Sequence, residues 1–240
     1  MIAEQTVRDI PFQKSGDAFL SNQSILELMT RVAGYHESLV ENRSNGPDRC
    51  GSAWVVQAWK LKVFSRPVSG TPVTVRTWSR AFTRVQGFRD FELTDPGGER
   101  FAAATSVWAT IDRSTRSLLR LDPLRMESYG SEPERFSLPG FRFSRILPDA
   151  AQSPGVLLTV GDNLIDENAH VHNSAYPELI LPAFPEGINP EFFHETEIQY
   201  FREILPGQQI LIERTEKSGS HYVWIRDAGG TAVHAVIILN

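Results

Sequence analysis

Two stretches, Trp59-Lys60-Leu61-Lys62-Val63-Phe64-Ser65-Arg66 and Thr196-Glu197-Ile198-Gln199-Tyr200-Phe201-Arg202-Glu203, decide how this chain of 240 residues is built. Each lies in a strand-like run, and each is followed by a glycine. Phe64 and Phe201 are 137 positions apart, and so are Gly70 and Gly207. Further on, Asp95-Pro96-Gly97-Gly98 and Asp227-Ala228-Gly229-Gly230 are 132 apart, so the second copy is five residues shorter in the intervening hairpin. Gly16-Asp17 also corresponds to Gly161-Asp162, at a larger offset. The shared order and strand context of these matches point to an internal duplication.

Working outward from the first copy, residues 5–12 alternate weakly and lead to Gly16, which predicts a strand and a turn. Ser24-Ile25-Leu26-Glu27 has the capping-box pattern of a hydroxyl followed three residues later by Glu. Apolar residues recur at Ile25, Leu28, Met29, Val32, Tyr35 and Leu39, with His36 among them, predicting a helix over 22–41 with a buried stripe. After a loop rich in Asn, Gly and Pro, strands are expected at 54–63, 71–79, 87–93 and 101–111, the last two joined by the Asp-Pro-Gly-Gly turn. Arg113 to Pro148 is rich in Arg, Ser and Pro without periodicity and reads as a surface linker. From Gly155 the pattern restarts as strand, polar loop and short helix, then strands near 193–204, 208–217, 220–227 and 231–239. Pro177, Pro182 and Pro185 should keep that second helix short or broken. The organisation is α+β, with one unit over 1–120, a linker over 121–150 and a second unit over 151–240. Joining the units edge to edge pairs strands that would otherwise be exposed, giving one continuous sheet.

Hydrophobic residues at 41% and charged residues at 22% describe an ordinary globular chain. A net charge of −5 argues against nucleic acid as the main partner. The one cysteine, Cys50, excludes an internal disulfide and fits a reducing cytoplasm. It follows a loop-like stretch with no activating partner, which disfavours a catalytic thiol. Met1 to Phe12 has acidic residues and no apolar core, and no apolar run approaches a membrane span, so a cytoplasmic protein without membrane contact is expected.

The stretch richest in chemistry is Asp166-Glu167-Asn168-Ala169-His170-Val171-His172-Asn173-Ser174-Ala175-Tyr176. If residues 166–172 are extended, Asp166, Asn168, His170 and His172 project to one side. A carboxylate, an amide and an imidazole on one edge can bind and activate water beside a carbonyl. The structural alternative is an Asx-rich turn capping a helix, with a surface histidine.

A helix wrapped in an antiparallel sheet and repeated twice resembles the double hotdog fold. Across nearly the whole chain the sequence resembles the acyl-acyl carrier protein (acyl-ACP) thioesterases of bacteria and plants. The matching segments are Asp166-Glu167-Asn168-Ala169-His170-Val171-His172-Asn173 with Tyr176, Ile198-Gln199-Tyr200-Phe201-Arg202-Glu203, and Ala104-Thr105-Ser106-Val107-Trp108 with Thr115-Arg116. The resemblance implies Asp166, Asn168, His170 and Glu203 as the catalytic set, acting on fatty acyl-ACP thioesters to end fatty acid synthesis, with no cofactor. Plant members often carry Cys after that Glu. Ile204 stands here, which rules out thiol chemistry at that point and leaves hydrolysis by water. His172 stands where many members have Asn, and its role is open.

Thioester hydrolysis needs an activated water and a place for charge on the carbonyl oxygen. Glu203 or His170 would take the proton, with Asp166 orienting its neighbours and Asn168 fixing water or thioester. The residues do not decide between Glu203 and His170 as base. Backbone N–H groups near Asn173 to Ala175 are candidates for holding the oxyanion. A solvated strand-end charge is the alternative for Glu203, although its counterpart in the first copy, Arg66, has the opposite charge. The acyl chain needs a dry tunnel, for which Ile25, Leu28, Met29, Val32, Trp54 and Val56 are candidates, with Asn173 and Tyr176 as further substrate contacts. Plain core packing is the alternative for each. Arg113, Arg116, Arg120 and Arg125 would offer an acidic carrier protein a basic face.

The rival activities are hydrolysis of acyl-coenzyme A, hydration of an enoyl thioester, and acyl-thioester sensing without catalysis. The hydratase pattern Asp-x-Asn-Pro-x-His is missing its Pro here and the His lies one residue closer. No DNA-binding helix pair is evident, which weighs against a sensor. His170 and His172 with His194, His221 or His234 lack the companions expected of a metal site. Monomer and homodimer are both left open.

Overall fold

The computed structural model describes residues 1–10, 18–43, 51–144 and 155–240. The expected turn at Gly16 and Cys50 lie outside the described residues. The strands are β1 (Ile2–Val7), β2 (Ser52–Val63), β3 (Val73–Phe82), β4 (Gln86–Thr94) and β5 (Arg100–Asp112) in the first half. In the second half they are β6 (Val156–Thr159), β7 (Glu195–Tyr200), β8 (Gln209–Lys217), β9 (Ser220–Asp227) and β10 (Val233–Leu239). All ten form one sheet in the order β1-β3-β4-β5-β2-β7-β10-β9-β8-β6, with every neighbouring pair antiparallel. The five strands of each half follow one another in the same pattern, and the halves meet back to back at β2 and β7. The first strand begins earlier than the expected 5–12, pairing Ile2 with Trp78 and Val7 with Val73.

The junction register locates the pseudo-two-fold axis. Lys60 faces Glu197, flanked by Trp59 opposite Ile198 and Leu61 opposite Thr196. Under the sequence repeat Lys60 and Glu197 are the same position, so this pair sits on the axis. In a symmetric dimer one residue would face its own copy there, and like charges opposite each other repel. Divergence has placed opposite charges instead. Lys60 Nζ lies 3.9 Å from Glu197 and 3.4 Å from Glu195.

Helix α1 (Asn22–Arg43) covers one face of the first half. Its Ile25, Leu26, Leu28, Met29 and Val32 pack fully buried against Trp59, Leu61, Val73, Val75, Phe91 and Leu93 of the sheet. Tyr35 departs from the expected stripe and lies exposed. The helix start also differs from the capping-box reading. Ser21 Oγ accepts the Ser24 N–H at 3.2 Å, making Ser21 the cap, while Glu27 is drawn to partners outside the helix. Ser21→Ala is therefore expected to lower stability by about 1 kcal/mol, read from the urea midpoint at constant slope.

Among the described residues, the second half has no helix as long as α1. A tight turn at Asn173–Ala175 leads into one helical turn, α3 (Tyr176–Leu179), with a further tight turn at Leu181–Ala183. Pro177 and Pro182 sit at the starts of these turns, where a missing N–H costs nothing, and neither segment extends.

The connection between the halves is more than a solvated linker. It carries the short helix α2 (Pro123–Ser128), capped by Asp122. Its later part lies on the sheet face opposite α1, because Asp90, Lys60 and Glu197 alternate with the core residues Phe91, Trp59 and Ile198. Ser137 donates its N–H to Asp90 at 2.9 Å and its hydroxyl to the Ala104 carbonyl at 2.8 Å. Ser144 donates its N–H and its hydroxyl to Glu197 at 2.8 and 3.0 Å. No described helix is long and apolar enough to cross a membrane.

Candidate active site

The loop from β6 to α3 places the motif residues by a turn rather than by an extended strand. Ile165 and Val171 form an isolated bridge. Between them Asp166 N–H donates to the His170 carbonyl at 2.9 Å, and Ala169 N–H donates to the Asp166 carbonyl at 3.0 Å. Ala169 takes φ 61°, in the left-handed region that non-glycine residues rarely adopt. Period-two alternation therefore does not bring Asp166, Asn168 and His170 together. The Asp166 carboxylate does, because one of its oxygens accepts the Asn168 N–H at 2.8 Å and the His170 N–H at 3.4 Å. The other lies 3.4 Å from Asn168 Nδ2 and 3.5 Å from His170 Nδ1. The Val171 carbonyl also faces His170 Nδ1, at 3.3 Å. Two acceptors on Nδ1 favour the proton there, leaving Nε2 as the side that accepts one.

Glu203 arrives from the segment after β7. Val171 N–H donates to the Ile204 carbonyl at 2.8 Å, which fastens the loop beside it, and Ile204 itself is fully buried. Glu203 lies 3.0 Å from Arg116, which comes from the turn after β5. Arg116 has φ 58° in a turn organised by Asp112, whose carboxylate accepts the Ser114 hydroxyl and the Ser114 and Thr115 amides. Those bonds, led by the Ser114 hydroxyl, hold the Asp112 carboxyl down at about 2.

Asp166, Asn168, His170 and Glu203 all line one cavity of about 560 Å³ at the junction of the two halves. Trp54, Val56 and Trp108 supply its apolar wall, and Arg113, Arg116 and Arg202 also line it. Tyr176 and Tyr200 meet edge to face at 4.9 Å, and Tyr200 donates to the Asn173 carbonyl at 2.6 Å. Burial, and secondly the Glu203 charge, push the Tyr176 phenol up; burial and then Tyr176 do the same to Tyr200. Both stay protonated at neutral pH.

Residues 10–129, half of the chain, match the family described as the acyl-ACP thioesterase N-terminal domain. The chain belongs to this acyl-ACP thioesterase family. It is 26% identical over 199 residues to the chloroplastic oleoyl-acyl carrier protein thioesterase of Coriandrum sativum, covering 75% of this chain and 53% of that one. The chain thus spans about half the length of that curated relative. Among solved structures, an acyl-ACP thioesterase from Bacteroides thetaiotaomicron superposes with a TM-score of 0.83 at 24% identity, covering 99% of this chain and 96% of that one. The 12:0-ACP thioesterase from Umbellularia californica superposes at 0.79 with 19% identity, covering 100% and 96%. These likenesses establish the double hotdog fold expected from the repeat.

In this family member the candidate substrate contacts divide. Trp54, Val56, Asn173 and Tyr176 line the cavity. Ile25, Leu28, Met29 and Val32 do not, being fully buried in the core beneath α1. Two of the three amides expected to hold an oxyanion are already engaged, since Ser174 N–H donates to His172 Nδ1 and Ala175 N–H to the His172 carbonyl. His172 Nδ1 also lies 2.7 Å from Ser174 Oγ and 3.3 Å from Glu27, so it joins α1 to the motif loop. Of the four linker arginines, Arg125 turns inward to Glu37 and Glu41 and offers little to a partner.

Sequence reasoning assigned no role to Tyr200 or Thr30. Thr30 donates to Asn173 Oδ1 at 3.2 Å from a neighbouring element, a contact with no local sequence signal. Arg66, the repeat counterpart of Glu203, does a different job. It is bonded to the Leu20 and Phe193 carbonyls and to Asn22 Oδ1, and burial pushes its pKa down to about 10.

Proposed function

We propose that this protein hydrolyses fatty acyl thioesters carried on acyl carrier protein, releasing free acid and carrier thiol and so ending chain growth in fatty acid synthesis. The observation that carries this reading is the convergence of Asp166, Asn168, His170 and Glu203 on one cavity with an apolar wall.

In this reading a water bound between Asn168 and His170 gives its proton to His170 Nε2, and the resulting hydroxide forms a bond to the thioester carbonyl carbon. Asp166, beside Nδ1, stabilises the imidazolium that forms. Charge develops on the carbonyl oxygen, for which the protonated Tyr176 phenol is the nearby donor. As the intermediate collapses the carbon–sulfur bond breaks, and His170 returns the proton to the leaving thiolate. Glu203, held by Arg116, orders the water and the imidazole rather than serving as the primary base. Arg113, Arg116 and Arg202 at the cavity suit an arm that carries a phosphate.

The test is thiol release from matched panels of acyl-ACP and acyl-coenzyme A thioesters, with the product acid identified. Faster release from the carrier-protein panel is expected. Preference for coenzyme A would replace the carrier protein in this reading. Loss of a double bond with the thioester intact would make the protein a hydratase, and binding without turnover would make it a sensor.

A further inference from the structure

A second, smaller cavity of about 190 Å³ adjoins the first and shares Thr30, Trp54 and Trp108 with it. On the α1 side its wall runs from Thr30 to Glu37. Seven helical rises make that wall about 10 Å long. Near Thr30 the lining is small or apolar, as a hydrocarbon chain requires. The far end is not. There Glu37, Arg89 and Tyr129 line the chamber.

Arg89 is 9% exposed, and among the described residues its hydrogen bonds leave from Nη1, to His36 Nδ1 at 2.7 Å and Thr77 Oγ1 at 3.3 Å. Tyr129 is 1% exposed, and its hydroxyl makes no hydrogen bond of good geometry among the described residues, its contact with the Trp54 indole being a weak one. A plain methyl terminus would leave the buried Tyr129 hydroxyl without a good acceptor, whereas an oxygen on the chain would satisfy it and give the Arg89 guanidinium a further acceptor. The local charges already balance. Arg125 lies 3.2 Å from Glu37 and 3.1 Å from Glu41, so two cations meet two carboxylates. A neutral oxygen therefore fits the chamber better than a second carboxylate.

We propose that the preferred acyl chain carries a hydroxyl or ketone oxygen toward its far end, received by Arg89 and Tyr129 in this chamber. The proposal rests on the thioesterase reading for how the chain arrives, but the chamber can be tested without turnover.

The experiment compares binding of octanoic, decanoic and dodecanoic acids with their terminally hydroxylated counterparts, followed by thiol release from the corresponding carrier-protein thioesters. At the length that fits, the hydroxy acid should bind about tenfold more tightly or better. Tyr129→Phe and Arg89→Met should each bring that ratio toward one. If Arg89→Met does not fold, Tyr129→Phe decides alone, because it keeps the ring and removes a hydroxyl whose contact with the Trp54 indole is weak. Equal or tighter binding of the plain acids at every length would overturn the proposal, as would a ratio unchanged in folded variants. Selective binding of hydroxy acids with no thioester cleaved would sink the thioesterase reading and leave the chamber standing. Cleavage with no preference for oxygen would do the reverse.

Discussion

Replacing His170 by alanine is expected to slow thiol release from acyl-ACP by about 10²–10⁴-fold while leaving the chain folded. The imidazole is a partly exposed loop side chain, and the turn that carries it is held by backbone groups and by Asp166, which alanine does not disturb. Circular dichroism should therefore match the wild type. Glu203→Gln provides the comparison, since it removes the charge held by Arg116 and keeps the shape. If His170 is the base, the His170 variant should fall much further in rate than the Glu203 variant. A His170→Ala enzyme within about threefold of the wild type would place the base elsewhere.

A second large effect is expected at the pseudo-two-fold axis, this time on stability. Glu197 is 1% exposed and accepts from Ser144 and Gln199 as well as facing Lys60. Lys60→Met would leave that carboxylate buried without its cation, at a cost of about 3 kcal/mol. Glu197→Met should cost a similar amount, because it strands the donors of Ser144 and Gln199. The double variant should cost clearly less than the sum, since neither charge is then left alone in the sheet. Urea unfolding of the four proteins reads this directly. Additive losses would mean that the two charges act independently.

Both effects depend on features that were legible in the sequence to different degrees. The strands of the sheet were plain because alternation and turn chemistry are local, and Asp95-Pro96-Gly97-Gly98 marks its hairpin unaided. The cap of α1 is not readable for the opposite reason, although its start at Asn22 is. Ser24 and Glu27 have the right spacing for a capping box, but Glu27 is claimed by His172 and Ser174 from another part of the chain. The linker looked solvated because Ser137 and Ser144 anchor it through isolated polar contacts, which leave no periodic trace.

The residue types of the candidate site were visible, but their conformation was not, since nothing marks Ala169 as the left-handed residue of a turn. The acyl wall shows a more general limit. An apolar stripe identifies side chains that are packed, as Ile25, Met29 and Val32 are. The lining of an empty chamber falls instead to Thr30, Ala33, Gly34 and Glu37, whose small or polar character suggests a surface.

Duplication also changes how many reaction centres the molecule can hold. Two identical units meeting across an axis would repeat any interface constellation, one copy for each side. Here the residue opposite in origin to Glu203 is Arg66, already committed to tying the start of α1 to Phe193. On the proposed reading, one side is the workplace and the other a buttress. A tight-binding substrate mimic should then saturate at one equivalent per polypeptide, and a change in either half can adjust selectivity or rigidity without being echoed in its twin.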